Sequence, residues 1–184
     1  MGPLVPILIF ASVLTAILIG KSAEAKPDGK TQVSEFNAWD SLIQKYSSRS
    51  GVPWKWVKAI MIIESDLGRA PSVKRGLLSP DDVNGSKSSD GKSWGLMQVT
   101  LPTARQFESS VTEAGLNDPE ISVRIGCKYI AYLYKLKNKD REAVVRSYNG
   151  GPGYLKTARG ISDTPGYYVK FLRALAQVET DTQV

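Results

Sequence analysis

Pro53-Trp54-Lys55-Trp56-Val57-Lys58-Ala59-Ile60-Met61-Ile62-Ile63-Glu64-Ser65 is the stretch from which the rest of the chain can be read. Val57, Ile60, Met61 and Glu64 recur at i, i+3, i+4 and i+7, so they share one helix face. Three of the four are apolar and mark that face as the buried one. The fourth is a carboxylic acid in the last turn. Burial and the negative end of the helix macrodipole both disfavour its charged form and raise its pKa. A carboxyl that keeps its proton near neutral pH is what general acid catalysis requires. On this helix alone, a boundary glutamate paired with a nearby Lys or Arg reads equally well. The surrounding sequence has to decide between the two.

The 184-residue chain contains no histidine. That excludes Ser-His-Asp and Cys-His nucleophile systems in their usual form and removes the commonest metal ligand. One cysteine, Cys127, can form neither an intramolecular disulfide nor a zinc cluster, and its apolar helical setting marks it as a small buried residue. No metal and no cofactor are expected. Chemistry here has to run on carboxylates, hydroxyls and lysines.

Net charge is +6, from 24 Lys and Arg against 18 Asp and Glu, with a pI of about 9.4. This balance favours an anionic partner. Basic residues are spread along the chain rather than gathered in a run, which ranks nucleic acid last among such partners. Length suits one domain with appendages, and a monomer is expected.

Pro3 to Gly20 form an uncharged apolar stretch, and Ala23-Glu24-Ala25 fits the small-x-small pattern of a signal-peptidase site. Residues 1–25 are therefore read as a signal peptide or a membrane anchor, with residues 3–20 offering a membrane contact. The stretch is long for a signal core and lacks a preceding basic residue. An exported, periplasmic or cell-wall-facing protein is expected. Residues 26–31 form a polar linker, 32–178 the folded domain and 179–184 a flexible tail.

Within the domain, Val33, Phe36, Asn37, Trp39, Asp40, Ile43 and Tyr46 predict an amphipathic helix ending at Ser50-Gly51. Gly51 suits the C′ position and Pro53 suits N1 of the next helix. Periodicity then disappears from Asp66 to Lys92, a turn-rich segment in which Asp90-Gly91 could turn a small hairpin. Thr100 is a plausible cap for a short helix reaching Phe107. Asp118-Pro119-Glu120 is a strong helix start, and the helix it opens is apolar on several sides through Ile121, Val123, Ile125, Ile130, Tyr132, Leu133 and Leu136. A further helix runs from Asp140 to Tyr148 and stops at Asn149-Gly150. A last one runs from Pro165 to about Val178 with Tyr168, Phe171, Leu172 and Leu175 inward. The fold class is all-α with a minor β component: about six helices and a long loop or small hairpin before Gly95-Leu96-Met97-Gln98.

Three segments carry a resemblance. Ile62-Ile63-Glu64-Ser65, Gly95-Leu96-Met97-Gln98 and Ser147-Tyr148-Asn149-Gly150-Gly151-Pro152-Gly153 resemble, in order and setting, the motifs of the soluble lytic transglycosylases. That family has the lysozyme-like fold. The likeness runs from about Val52 to Leu172 and takes in Asn117-Asp118-Pro119, Gly126 with Tyr129, and Tyr168-Val169. Goose-type lysozymes share the first two elements and are more weakly similar.

The resemblance implies cleavage of peptidoglycan glycan strands between N-acetylmuramic acid and N-acetylglucosamine, leaving 1,6-anhydromuramyl ends. Glu64 would act as acid and then as base. By the same likeness Met97 and Gln98 would present a turn to the sugar, and Tyr148 would aim its hydroxyl at Glu64. Asn149 and the glycines after it would bring backbone close to substrate. Tyr168 would stack on a sugar or simply pack, and Met97 would equally fill the core. Ser72, Ser79 and Ser93 are candidates for the family's substrate-binding serine. Asp163, in Asp163-Thr164-Pro165-Gly166-Tyr167-Tyr168-Val169, would help bind substrate or cap the last helix; the family pattern there has a glutamate and one residue fewer.

Two other functional readings remain. A goose-type-like hydrolase of the same glycan needs a second carboxylate to hold a water, and Asp82 and Asp90 are the auxiliary acids available, unless they only form turns. Thr100 stands where those enzymes have another aspartate. The third reading is a non-catalytic wall-binding or assembly component. Asp81-Asp82-Val83-Asn84-Gly85 lacks the ligand spacing of a calcium loop. A secretion-system or bacteriophage origin stays open.

Overall fold

The computed structural model describes residues 35–70, 92–153 and 166–182. The expectations for residues 1–31, Ser72, Ser79, Asp82, the Asp90-Gly91 turn and Asp163 fall outside them. Described elements begin with a 3-10 turn, Glu35–Asn37, and continue with α1 (Asp40–Ser50), α2 (Trp54–Ser65), β1 (Ser93–Trp94) and β2 (Val99–Thr100). The remaining helices are α3 (Leu101–Arg105), α4 (Glu113–Leu116), α5 (Pro119–Leu136), α6 (Arg141–Gly150) and α7 (Tyr167–Asp181).

Local chemistry accounts for most of these boundaries. Gly51 takes φ +67° and its N–H closes α1 on the carbonyls of Ser47 and Ser48, a left-handed stop that glycine makes without strain. Asp118 accepts from the Ile121 amide at 2.9 Å with Pro119 as the first helical residue. Thr100, Thr112 and Asp140 cap α3, α4 and α6 through their side chains, each satisfying an amide the helix leaves open.

Several boundaries differ from the sequence reading. The first amphipathic segment splits into the 3-10 turn and α1, because Lys58 draws both pieces onto α2. Its fully buried ammonium donates to Asn37 Oδ1 at 2.6 Å and lies 2.7 Å from Asp40 Oδ1. Pro53 is the N-cap of α2 rather than its first residue. Helix α6 continues through Asn149 to Gly150, and α7 runs past Val178 to Asp181.

Hydrophobic burial sets the layers. Helix α2 packs chiefly on α7, and α1 lies across α2 and α5. Val57, Ile60 and Met61 are completely buried, so the face read from the sequence is the core face. Helix α5 is central, with Val123, Ile125, Ile130 and Leu133 fully enclosed, but Tyr132 and Leu136 are 42% and 47% exposed. Its apolar surface is thus wider than its buried one. In α7 the inward stripe is Tyr167, Phe171, Ala174, Leu175 and Val178, while Leu172 is 39% exposed and Tyr168 only partly covered.

The small hairpin is formed by β1 and β2, antiparallel with Ser93 opposite Thr100 and Trp94 opposite Val99. Its turn is Gly95-Leu96-Met97-Gln98. Among the described residues, no helix is long and apolar enough to cross a membrane.

Candidate active site

Glu64 stands one residue before the end of α2, where the chain turns abruptly. Asp66, Leu67 and Gly68 all take positive φ. Ser65 Oγ donates to the Met61 carbonyl at 3.2 Å and accepts from the Gly68 amide at 3.1 Å, which makes Ser65 the residue that holds this turn. The Trp39 indole donates to the Leu67 carbonyl at 2.8 Å. Glu64 is thereby presented at the rim of α2 instead of continuing into the core.

Part of the Glu64 surface opens to a cavity of about 370 Å³, while protein atoms crowd its carboxyl. Burial pushes its pKa from 4.5 up to about 7, against a smaller downward pull from the Tyr167 hydroxyl. That hydroxyl donates to Glu64 Oε1 at 2.6 Å. Near neutral pH the group therefore exchanges a proton readily in either direction.

Tyr148 does not bond Glu64. Its buried hydroxyl donates to the Met97 carbonyl at 2.7 Å, a carbonyl that the hairpin turn would otherwise leave orphaned. Its own pKa lies well above 10 through burial first and then through the charge of Glu64, so it stays a neutral donor. The residue missed in the sequence is Tyr167. Projecting Phe171, Leu175 and Val178 back along their stripe lands on Tyr167, not Tyr168, and that periodicity was the available signal.

Tyr168 lies away from the cavity. Its ring stacks on Phe171 at 5.9 Å, the Arg146 guanidinium sits 5.4 Å from its centroid, and its hydroxyl accepts from Arg141 Nε at 3.3 Å. Packing, the second of its two readings, describes it. Met97 likewise fills the core. Its side chain is fully buried and so close to Gly126 that a Cβ there would lie 2.6 Å from Met97 Cγ. It supports the turn and does not reach the cavity.

The turn is clamped from several directions. Gly95 takes φ +70°, and a Cβ there would fall 1.9 Å from the Leu116 carbonyl oxygen. Ser122 Oγ accepts from the Met97 amide at 3.1 Å. Gln98 takes φ +47° and its side-chain amide donates to the Gly95 carbonyl at 2.7 Å. Gln98 lines the cavity, as do Ser93, Tyr148, Asn149, Gly150 and Gly151. Among the described residues Glu64 is the only carboxylate in that lining. Cys127 is buried elsewhere in α5 with its thiol pushed up to about 12, which leaves it inert.

A family model described as the transglycosylase SLT domain matches residues 41–171. The chain is 30% identical over 149 residues to the soluble lytic murein transglycosylase of Escherichia coli (strain K12), covering 78% of this chain and 21% of that protein. It is 32% identical over 134 residues to the membrane-bound lytic murein transglycosylase F of Vibrio cholerae serotype O1 (strain ATCC 39315 / El Tor Inaba N16961), covering 70% and 21%. The crystal structure of the 70 kDa soluble lytic transglycosylase from Escherichia coli is similar at a TM-score of 0.51 and 25% identity, over 77% of this chain and 22% of that one. The chain thus spans about a fifth of the length of the curated relatives it matches.

Proposed function

The chain belongs to the transglycosylase SLT domain family, and from that premise we propose that it is a peptidoglycan lytic transglycosylase with Glu64 as acid and then base. Glu64 gives its proton to the glycosidic oxygen between N-acetylmuramic acid and N-acetylglucosamine. The bond from C1 to that oxygen breaks and positive charge develops at C1. The carboxylate left behind then takes the proton of the muramyl C6 hydroxyl as that oxygen bonds C1. A 1,6-anhydro ring forms and no water is consumed.

The observation that carries this reading is the Glu64 carboxyl itself. With its pKa pushed to about 7 and Tyr167 donating to one oxygen, it is suited to give a proton and to recover one within a single turnover. The described lining offers no other carboxylate to hold a hydrolytic water. Ser93, Gln98 and Asn149 supply neutral polar groups for sugar hydroxyls and acetamides.

We further propose an exported protein, periplasmic or facing the cell wall, anchored or cleaved within residues 1–25 and acting as a monomer. Its charge of +6 would raise the association rate with an acidic wall polymer.

Mass spectrometry of wall digested by the purified protein tests the chemistry. Anhydromuramyl ends are expected, and Glu64→Gln should abolish them. Reducing ends carrying an added water would replace the reading by a hydrolase, and full activity in Glu64→Gln would remove both enzymatic readings.

A further inference from the structure

The turn that presents Glu64 is a demanding one for the chain to make. Asp66, Leu67 and Gly68 take φ +50°, +56° and +83° in succession. Glycine adopts that region freely, whereas an aspartate and above all a leucine there are strained. Such a conformation persists only where neighbouring groups enforce it. Arg69 and Asp66 pair at 2.6 Å on the exposed side, and an exposed pair is too weak to do so alone. The amides of Gly68, Arg69 and Ala70 donate to the carbonyls of Ser65 and Asp66 at 2.9 to 3.1 Å. The Leu67 carbonyl is met instead by the Trp39 indole at 2.8 Å. Leu67 is buried, so its carbonyl needs that donor.

What aims the indole is equally specific. Trp39 stands between Asn37 and Asp40, and the Lys58 ammonium holds both, 2.6 Å from Asn37 Oδ1 and 2.7 Å from Asp40 Oδ1. The same ammonium lies 4.1 Å from the centroid of the Phe36 ring. Lys58 is completely buried, so its charge depends on these partners and losing one of them is strongly disfavoured. Lys58 belongs to α2 and Leu67 to the turn that follows it. Residues 36–40 therefore grip the polypeptide on both sides of Glu64. All of them precede residue 41, where the match to the family model begins.

We propose that Trp39 is a positioning residue for Glu64: its indole N–H holds the turn that fixes where the carboxyl stands. The proposal rests on the reading of Glu64 as acid and base given above. Trp39 is not part of the cavity lining and acts through Leu67. Its indole has no charge to lose. The titratable groups that interact with the Glu64 carboxyl are Tyr167 from α7 and Tyr148 from α6, and both lie outside the grip. A change in Glu64 titration on altering Trp39 thus reports displacement of the carboxyl, not removal of a neighbouring charge.

Trp39→Phe removes the donor and keeps an aromatic ring. A released turn lets water reach the Glu64 carboxyl, and relief of burial lowers its pKa. The alkaline limb of kcat/KM on wall glycan should then move to lower pH. Near neutral pH kcat should fall roughly five- to tenfold, as for one neutral hydrogen bond, with KM within about twofold of wild type. Tyr46→Phe is the control. It also strips a side-chain bond from α1, the one to Glu120 on α5, and should leave the pH limb in place. An unmoved limb in Trp39→Phe, or the same displacement in Tyr46→Phe, would overturn the proposal.

A second measurement needs no turnover and covers a Trp39→Phe protein that fails to fold. Replacing the Trp39 indole by its benzothiophene isostere, with sulfur for N–H, preserves the shape and deletes only the donor. The isotope-labelled Glu64 carboxyl, followed by NMR through a pH titration, should titrate lower than in the wild type. Identical titrations would show that the turn holds without Trp39. If the wild-type protein gives no anhydromuramyl ends while the isostere still shifts the titration, the catalytic reading falls and the placing of Glu64 by Trp39 stands.

Discussion

The Tyr167 hydroxyl donates a 2.6 Å hydrogen bond to Glu64 Oε1 across 103 residues of sequence. It stabilises the ionised carboxyl and so opposes the upward push of burial. Tyr167→Phe should raise the Glu64 pKa further and move the alkaline limb of the kcat/KM profile to higher pH. A hydrogen bond to a charged group is worth about 1.5–3 kcal/mol, so turnover should fall roughly ten- to hundredfold. Tyr168→Phe, next door but turned to Arg141, should stay within about threefold of wild type. If Tyr168→Phe were the variant that moves the pH profile, the assignment of the two tyrosines would be reversed.

Glu64 also leaves a mark on stability. A carboxyl with a pKa of 4.5 when exposed and about 7 in the fold keeps its proton longer in the folded state. Below 4.5 both states are protonated and nothing is lost. Stability then falls as pH rises from 4.5 to about 7, and above that the folded state has lost about 3 kcal/mol. Glu64→Gln, neutral throughout, should match wild type at pH 4 and exceed it by up to about 3 kcal/mol at pH 8. Urea unfolding at the two pH values measures this. A stability gap that does not change with pH would contradict the burial of the carboxyl.

Two glycines around the hairpin turn should differ in what they tolerate. A Cβ on Gly95 would meet the Leu116 carbonyl at 1.9 Å at a residue with φ +70°, so both backbone strain and a backbone clash oppose it. Gly95→Ala should cost about 3 kcal/mol or more and displace Gln98 from the cavity. A Cβ on Gly126 would meet Met97 Cγ, Cε and Cβ at 2.6, 2.8 and 2.9 Å, a side-chain clash without the backbone strain of a positive φ. Gly126→Ala should cost about 1–3 kcal/mol and spare more activity. Denaturation midpoints of the two variants decide it, and a milder Gly95→Ala would show that the turn is not held by this close approach.

Much of the architecture was legible because its causes are local. Gly51 ends α1 and Asp118 starts α5 through bonds to residues three or four positions away, so the sequence window contains both partners. Val57, Ile60 and Met61 announced the buried face of α2 by spacing alone. The hairpin was harder to read. Two-residue strands carry almost no alternation, and the need for glycine at Gly95 comes from the distant Leu116 carbonyl. Likewise Tyr132 and Leu136 looked like core because they are apolar, yet nothing in the described fold covers that flank of α5.

For the candidate site, the order of the motifs determined that Glu64, the Gly95–Gln98 turn and Tyr148-Asn149 belong together, and all three line or frame one cavity. Which hydroxyl reaches the carboxyl was decided only in three dimensions. Consecutive residues on a helix point about 100° apart, so the choice between Tyr167 and Tyr168 depends on how α7 is rotated where it packs on α2. That rotation is set by the burial of Phe171, Leu175 and Val178, and the same packing leaves Tyr148 free to hold the Met97 carbonyl instead. Sequence named the acid; the docking of two helices chose its partner.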